Sequence, residues 1–417
     1  MHWMLDWGTA FPIFVKEAQG AHLTDIDGHD YEDFCLGDTG SMFGHSPEPI
    51  AQALAEYGKR GLTYMLPSQD TVTAGQLLSE CFGLPYWQAC ATATDANRYA
   101  IRWARAITGR KNILVFQGCY HGSADDTFIR LEGSKAIHRR GLIGQVYDMT
   151  NYTRIVEFND PAALEDALKN KDIACIITEP ALTNIGMVLP QPGFLEDLQR
   201  LAKKYGSLLI IDETHTVSAG YGGYTRTHGL RPDFLTIGKA IAGGFPAAIF
   251  GCTQEMAGHI LRVQKETEPG YSGMGTTLSA NALAMRCIKV NLSDVMTQAA
   301  YQHMLPLSAY LAQSIDREIK KRNLPWHVSH VGARAEFLCC PEPPRNGTEA
   351  QKTQQGKLEQ AIHLYLINRG ILIAPFHNMT LVSPSTTKEQ VDRLTEILAM
   401  FMDEFVKGLR IKDENRR

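Results

Sequence analysis

The sequence of 417 residues predicts an α/β protein with a mostly parallel sheet flanked by helices. Two short apolar runs, Leu208–Ile211 and Phe234–Ile237, stand between turn residues, and a polar group follows each of them. Such runs are typical of strands that are buried on both faces in a parallel sheet. Because ligands bind beyond the carboxyl ends of these strands, we expect Asp212 and Lys239 to face one crevice.

The remaining elements follow from hydrophobic pattern and turn signals along the chain. The N-terminal part predicts a hairpin over 21–36, a loop, and a helix over 47–57. The central part predicts a helix near 96–107, strands at 113–116, 173–178 and 247–252, a helix at 193–205 and another opening near 280. The C-terminal part predicts helices at 298–321, 351–368 and 388–409 and strands near 327–338 and 371–381. We therefore divide the chain into an N-terminal segment of a small domain (1–59), a large ligand-binding domain (60–293) and a C-terminal small domain (294–417).

Composition excludes several classes of protein. The 41 basic residues nearly balance the 45 acidic ones, which gives no charge signal for nucleic acid or for an anionic membrane. The first residues, MHWMLDWG, lack the basic and apolar parts of a secretory signal, and no apolar run is long enough to span a bilayer. The nine cysteines form no CxxC pair, which indicates reduced thiols without a zinc site. We expect a soluble cytoplasmic protein with no bound metal.

Asp212 and Lys239 together indicate a particular kind of ligand. A carboxylate and a lysine suit an aromatic cofactor that has a basic ring nitrogen and an aldehyde, such as pyridoxal 5'-phosphate (PLP). Taken singly, the lysine would more often be a solvated loop residue, and the aspartate would more often be a cap. The neighbouring segments decide between these interpretations.

Three of those segments carry groups that suit a phosphorylated aromatic ligand. Thr92 and Thr94 open a helix, whose free N–H groups form an anion site, although an ordinary N-cap is the alternative. The glycine- and hydroxyl-rich stretch Gly270–Asn281 is a second possible phosphate loop. Tyr120 follows a predicted strand and is placed to stack on a flat ring, with a core tyrosine as the alternative. Gly220–Gly223 does not match GxGxxG, so a dinucleotide site is only weakly supported.

These segments, in this order, resemble the class III aminotransferases of fold type I, which depend on PLP. The similarity extends over nearly the whole chain and is best in the glutamate-1-semialdehyde aminomutase-like branch. The matching stretches are the phosphate loop Thr92–Asn97, the Tyr-His-Gly element Gly118–Gly122, the aspartate strand Ile210–Glu213, the Schiff-base lysine segment Ile237–Gly244 and the loop Gly275–Asn281.

The resemblance implies roles for individual residues. Lys239 and Asp212 are the implied catalytic residues, one forming the Schiff base and the other holding the pyridine nitrogen. The residues implied to contact or support PLP are Thr92, Ala93, Thr94, Tyr120, His121, Glu179, Asp212, Thr214, His215, Lys239 and Thr277. The resemblance places Thr277, or failing that Thr276, on the phosphate of a neighbouring subunit. It thus implies a homodimer with the site at the interface.

Departures from the family pattern concern the substrate. Thr214 and His215 stand where the family usually has Val and then Gln or Met. The stretch Ala374–Thr380 lacks the arginine that pairs with a substrate α-carboxylate in many members, and it also lacks the acidic residue expected of a true glutamate-1-semialdehyde aminomutase. Candidate substrate residues are Trp7, Phe43, Asn184 and His377, of which Asn184 matches that branch. Core packing or a strand-end turn is the alternative for the others.

These observations predict an aminotransferase that acts through a Lys239 Schiff base and pyridoxamine phosphate. Its donor is expected to be an amine or an ω-, β- or D-amino acid, and its acceptor a 2-oxo acid, because the carboxylate-binding arginine is missing. The alternative is a PLP-dependent aminomutase or racemase acting on an amino acid or amino aldehyde. A PLP-binding protein without catalysis and a dinucleotide-dependent oxidoreductase are weaker interpretations.

Overall fold

A computed structural model describes residues 12–414, with side chains described as far as residue 408. Trp7, one of the candidate substrate residues, lies outside these described residues. The chain divides into two compact units. The larger comprises residues 48–297 and 345–351, and the smaller comprises 12–47, 298–344 and 352–414. The unit boundaries put the helix over 48–57 in the larger unit, whereas the sequence-based division places it in the N-terminal segment.

The strands and helices alternate through most of the larger unit. In chain order the strands are β1 (Val15–Gln19), β2 (His22–Asp25), β3 (Asp30–Asp33), β4 (Tyr86–Cys90), β5 (Asn112–Phe116), β6 (Ile129–Glu132), β7 (Lys135–His138), β8 (Thr153–Val156), β9 (Ile173–Thr178), β10 (Leu208–Asp212), β11 (Phe234–Ile237), β12 (Ala248–Cys252), β13 (His327–Val331), β14 (Arg334–Leu338), β15 (Ile371–Leu372) and β16 (Met379–Leu381). The helices are α1 (Glu48–Tyr57), α2 (Gln69–Phe82), α3 (Ala93–Thr108), α4 (Pro161–Leu168), α5 (Phe194–Tyr205), α6 (Gly223–Thr227), α7 (Gln254–Glu266), α8 (Ala282–Val290), α9 (Gln298–Lys321), α10 (Gly347–Thr353), α11 (Gly356–Ile367) and α12 (Lys388–Glu414).

A seven-stranded sheet forms the centre of the larger unit, in the order β4-β12-β11-β10-β9-β5-β8. The five neighbouring strands β11, β10, β9, β5 and β8 are parallel. Strand β12 runs antiparallel to both of its neighbours, β11 and β4. Strands β9, β11 and β12 are buried along their whole length, because helices cover such a sheet on both faces. The register pairs Asp212 with Thr236, so Asp212 and Lys239 lie at the same edge of the sheet.

Helix α3 packs across the middle of this sheet, against β9 to β12. Its buried residues recur three and four positions apart and include Ala96, Tyr99, Ala100, Trp103 and Ala104. This spacing places one apolar face on the strands, and Gly109 ends the helix in the left-handed conformation that favours glycine. This packing fixes the position of the helix N-terminus relative to the sheet.

The smaller unit contains two sheets, β1-β2-β3-β15 and β13-β14-β16. Helix α9 packs against α12, β13 and β14, and α12 also contacts α11. Among the described helices, none combines the length and the apolar character that crossing a bilayer requires. Mixed sheets and flanking helices of this kind confirm the predicted α/β fold class.

Several elements differ from the sequence-based prediction. The predicted strand over 371–381 is two short strands, β15 and β16, because Pro375 interrupts the stretch between them. The strand predicted near 327–338 is a hairpin that turns at Gly332, whose φ of +60° favours glycine. Strands β4 and β8 and helices α2, α4 and α7 lay outside the prediction.

Candidate functional site

Asp212 is the last residue of β10 and is 3% exposed. Its Oδ2 accepts hydrogen bonds from Nδ2 of Asn97 at 2.8 Å and lies 2.9 Å from Nδ1 of His121, while Oδ1 accepts from the backbone N–H of Thr214 at 3.0 Å. Burial alone would raise the pKa of Asp212. The hydrogen bond and charge of His121, with the bonds from Thr214 and Asn97, outweigh burial and lower the pKa to about 2. Asp212 is therefore a buried carboxylate that stays ionised.

His121 lies behind this carboxylate and is buried. Burial alone would lower the pKa of His121, but the neighbouring charge of Cys119 and the hydrogen bond to Asp212 raise it to about 10. The same interaction shifts the pKa of Cys119 in the opposite direction. Burial would raise the pKa of that thiol, but His121 and Arg139 lower it. The imidazole is thus protonated at neutral pH and pairs with the carboxylate.

Asn97 joins the helix above the sheet to two of its strands. Besides donating to Asp212, it accepts a hydrogen bond at its Oδ1 from Oγ1 of Thr236 at 2.6 Å. Asn97 is buried, and its bonds to Asp212 and Thr236 connect α3 to β10 and to β11. A fully bonded polar group of this kind fixes geometry, because moving any partner leaves a buried group unpaired.

Lys239 follows β11 after Gly238 and has a φ of +46°. This left-handed conformation costs a residue other than glycine about 1–2 kcal/mol, and such strain is concentrated at functional sites. The Nζ of Lys239 lies 2.7 Å from Nε2 of His215, which is 5% exposed. Thr214, beside His215, is also buried, and its Oγ1 has no hydrogen-bond partner among the described residues.

The N-terminus of α3 adjoins the lysine segment. A Cβ added at Gly238 would stand 2.7 Å from Cβ of Ala93, and one at Gly122 would stand 2.2 Å from Oγ1 of Thr94. Both positions require glycine, because the backbone there passes too close to α3 to leave room for a side chain. The first N–H groups of the helix have no partners within it, so this end forms an anion site next to Lys239.

The hydroxyl groups at this helix end are already engaged. Oγ1 of Thr92 accepts from the backbone N–H of Asp95 at 3.2 Å and is the N-cap, which is the alternative considered from sequence. Oγ1 of Thr94 accepts from the N–H of Ser123 at 3.1 Å. Oγ1 of Thr92 also donates its proton to Oδ2 of Asp95 at 2.9 Å. The backbone N–H groups of Ala93 and Thr94 are therefore better placed to bind an anion than the Thr92 hydroxyl.

Tyr120 and Thr277 are exposed residues of the larger unit. The side chain of Tyr120 is 41% exposed beside buried His121. Thr277 belongs to the exposed part of the loop over 270–281. Nη1 of Arg102, on α3, donates to the carbonyl of Gly273 at 2.6 Å and so holds this loop to the helix that carries the anion site.

Glu179 supports the segment that follows β9. It is buried, and its carboxylate accepts from Oγ1 of Thr183 at 2.5 Å, from the Thr183 N–H at 3.2 Å and from Nδ2 of Asn184 at 3.4 Å. Burial raises the pKa of Glu179, against the charge of His121 and the bonds from Thr183. Its hydrogen bonds therefore fix Thr183 and Asn184 relative to the strand.

Two candidate substrate residues, Phe43 and His377, belong to the smaller unit. Phe43 is buried and packs edge-to-face on Tyr301, with ring centroids 5.8 Å apart. Nδ1 of His377 lies 2.9 Å from Oε1 of Glu336, and both side chains are buried. Within the smaller unit these contacts are those of packed core residues.

Sequence reasoning missed the roles of Asn97, Thr236 and Cys119. A signal for Asn97 is present, since it is polar and lies on the buried face of α3 between Ala96 and Ala100. Thr236, within the apolar run of β11, is likewise a polar residue at a buried position. Cys119 carries no such signal, because buried free cysteines usually behave as small apolar residues.

These residues fit PLP on grounds of donor chemistry. The ionised carboxylate of Asp212 suits a protonated ring nitrogen, the amine of Lys239 suits an aldehyde, and the end of α3 suits a phosphate. Thr214, two positions after Asp212, is buried, and its hydroxyl has no partner in the part of the chain that the structure describes. The fold and the site together define a PLP-dependent enzyme of fold type I.

Comparison with known proteins identifies the family. The family model described as "Aminotransferase class-III" matches residues 4–402. The chain belongs to the class III aminotransferases, and PLP is its cofactor. The predicted family, branch and cofactor are thereby confirmed.

Several of the similar proteins are named glutamate-1-semialdehyde aminomutases. The chain is 32% identical over 372 residues to the glutamate-1-semialdehyde 2,1-aminomutase of Myxococcus xanthus (strain DK1622), covering 87% of this chain and 84% of that protein. The crystal structure of a glutamate-1-semialdehyde-aminomutase from Pseudomonas aeruginosa PAO1 is similar with a TM-score of 0.94 and 44% identity, covering 97% of this chain and 90% of that one. A variant of that enzyme in complex with PMP gives the same values.

Proposed function

We propose that this protein is a PLP-dependent aminomutase, which moves an amino group between two carbons of one substrate. The observation that carries the proposal is the Lys239 amine and the ionised Asp212 carboxylate at one sheet edge, in a chain 44% identical to a structure named as an aminomutase. The relatives therefore favour the alternative prediction over the predicted aminotransferase.

Asp212 and His121 hold the charge on which the chemistry depends. When bound, PLP supplies a protonated ring that stabilises negative charge on the carbon beside the substrate nitrogen. Asp212, with a pKa lowered to about 2, keeps a proton on the ring nitrogen, because an opposite charge favours the cation. Protonated His121, at 2.9 Å, keeps that carboxylate in place and ionised.

Lys239 moves the proton. With the substrate bound, the free amine of Lys239 would be the base that takes a proton from one carbon and returns it to another. Tyr120 would cover one face of the ring, and the N–H groups of Ala93 and Thr94 would hold the phosphate, with Thr277 of a second copy completing the phosphate contacts.

The substrate we propose is an amino aldehyde of the glutamate 1-semialdehyde class. In such a compound the amine stands next to an aldehyde, with the carboxylate further along the chain. The stretch Ala374–Thr380 contains no arginine to bind an α-carboxylate, which agrees with that arrangement. The missing acidic residue in the same stretch is a departure from the branch, so a related amino aldehyde fits as well.

Intermolecular transamination is the second candidate. The same missing arginine favours amines and ω-, β- or D-amino acids as donors, with a 2-oxo acid as acceptor. Both candidates use Lys239 and Asp212 in the same way. They differ in whether the amino group returns to the molecule that donated it or passes to a separate 2-oxo acid.

The deciding experiment follows the visible absorbance of the holoenzyme during reaction with glutamate 1-semialdehyde and with a panel of amines. Turnover of the amino aldehyde without an added 2-oxo acid supports the aminomutase. Loss of the band with an amine, and its return only when pyruvate or 2-oxoglutarate is added, overturns it in favour of the aminotransferase. The Lys239→Ala variant is the control and should do neither.

We further propose a homodimer in the cytoplasm. Thr276 and Thr277 line a surface cavity of about 580 Å³ together with Tyr271, which is 78% exposed, and with exposed Met65 and Leu66. Apolar side chains clustered in this way suit a surface that a second copy covers. All nine cysteines are free thiols, which suits a reducing compartment. Sedimentation equilibrium tests the dimer, and a monomer that retains full PLP affinity would contradict it.

A further inference from the structure

The contact between Lys239 and His215 places a second proton-transfer group at the reacting nitrogen. Two nitrogens 2.7 Å apart are joined by one hydrogen bond, so one of them carries the shared proton and the other accepts it. A neutral imidazole accepts through Nε2, and a histidine exchanges protons near neutral pH as no glutamine or methionine can. The family's usual residues at this position have no such ability.

Backbone contacts hold both partners of this pair. Oγ of Ser218 donates to the His215 carbonyl at 2.9 Å, and the N–H of the same serine donates to that carbonyl at 3.2 Å. The left-handed backbone of Lys239, between β11 and a short turn of helix, fixes where its side chain leaves the chain. His215 is 5% exposed, so water has little access to the imidazole.

We propose that His215 is the acid–base residue for the capture and release of PLP by Lys239. The Lys239 ammonium gives one proton to Nε2 of His215, and the freed amine forms a bond to the aldehyde carbon. The carbonyl oxygen then takes one proton from that nitrogen and the stored proton from His215, and it leaves as water. One proton stays on nitrogen, no electrons are exchanged, and His215 returns to its neutral form.

This inference rests on Lys239 being the lysine that binds PLP, which is part of the proposed function, and not on the identity of the substrate. A related proton transfer is required in every turnover, because the nitrogen of Lys239 must take up a proton when the substrate amine displaces it. A proton acceptor at 2.7 Å from Nζ therefore serves both directions.

The test measures how fast PLP-free protein forms the visible band after PLP is added, at one fixed pH. His215→Gln keeps an acceptor for Nζ but cannot take a proton, and His215→Ala removes both functions. We expect both variants to form the band about 10²-fold more slowly, as is typical for losing a general acid–base residue. Added imidazole should restore the rate of His215→Ala.

Two matched controls separate the possible failures. His363→Gln also removes a buried histidine, but one that belongs to the smaller unit, so its rate should stay close to that of the wild type. Lys239→Ala should form no band, and a band there would overturn the lysine assignment itself. A wild-type rate in His215→Gln, or a slow His215→Ala that imidazole does not restore, overturns the role of His215 alone. The glutamine variant keeps the test decisive if the alanine variant does not fold.

Discussion

Two buried histidines, His121 in the larger unit and His363 in the smaller, differ in the charge of their partners. His121 lies 2.9 Å from the carboxylate of Asp212, and its pKa is raised to about 10. His363, on α11, has Nε2 3.2 Å from Oδ1 of Asn378, and its pKa is lowered to about 4 by burial, against the hydrogen bond that this neutral amide oxygen accepts. At neutral pH one imidazole is charged and the other is not.

The difference shows what distinguishes the site from the ordinary polar core. Burial pushes the pKa of both histidines downward, and only a buried charge beside the ring reverses it. Asp212 is kept as a buried carboxylate by Asn97 on α3 and by His121 and Thr214 in the loops after β5 and β10. A histidine with a neutral amide partner needs no such support. The following predictions exchange or remove the partners, from the largest expected effect to the smallest.

Replacing Asp212 with Asn gives His121 a neutral amide partner like that of His363, while Cys119 stays beside the ring. We expect turnover to fall about 10³-fold, because the ring nitrogen of PLP loses the charge that keeps it protonated. Steady-state kinetics measure the loss, and the visible spectrum checks that PLP is still bound. A variant that binds PLP and turns over within tenfold of the wild type would contradict the role of Asp212.

Replacing His121 with Gln keeps a hydrogen-bond donor to Asp212 and removes the positive charge. Charged hydrogen bonds contribute about 1.5–3 kcal/mol, so we expect kcat/KM to fall about 10- to 100-fold. His363→Gln is the matched control, since it also removes a buried histidine and lies in the smaller unit. Equal losses in the two variants would show that the charge on His121 does not matter.

Acidification should destabilise the protein through His363. The pKa of His363 is about 4 in the folded protein and has its ordinary value of 6.5 in the unfolded chain, so the unfolded chain binds more protons between these pH values. The contribution of His363 to the free energy of unfolding is therefore complete above pH 6.5 and is lost as pH falls towards 4. Between pH 7 and pH 5 this amounts to about 2 kcal/mol of unfolding free energy. Urea unfolding of the wild type and of His363→Gln at pH 7 and pH 5 tests this prediction. The variant should lose less free energy of unfolding between the two pH values than the wild type does.

Replacing Asn378 with Asp gives His363 the kind of partner that His121 has. A carboxylate beside a buried imidazole favours its charged form, so we expect the pKa of His363 to rise by about one unit or more, which corresponds to about 1.4 kcal/mol. Titration of the imidazole by NMR measures the shift. An unchanged pKa would mean that burial, rather than the partner, decides the charge state in this unit.

The sequence predicts the sheet and its two key residues because their signals are local. Apolar runs ending at Asp212 and shortly before Lys239 identify buried strands without reference to the rest of the chain. The division of the stretch over 371–381 into two strands was missed, because an apolar pattern reports burial and not hydrogen-bond pairing. The site roles predicted for the candidate residues remain to be tested by the variants above.

Distances between side chains from separate loops are not encoded in any local pattern. The 2.7 Å contact of His215 with Lys239 depends on two turns, one after β10 and one after β11, and on a left-handed residue in the second. The sequence identifies both residues but gives no reason for them to meet. The same holds for Asn97, which sequence alone could mark only as a polar residue on a buried face.

The backbone of Lys239 also has a consequence for engineering. At a φ of +46° glycine is the residue that relieves the strain, at the loss of the hydrogen bond to His215. Stability and cofactor chemistry thus favour different residues at one position. A library selected only for heat resistance of the cofactor-free protein would enrich glycine where the enzyme needs its amine, so such a selection should be carried out with PLP bound.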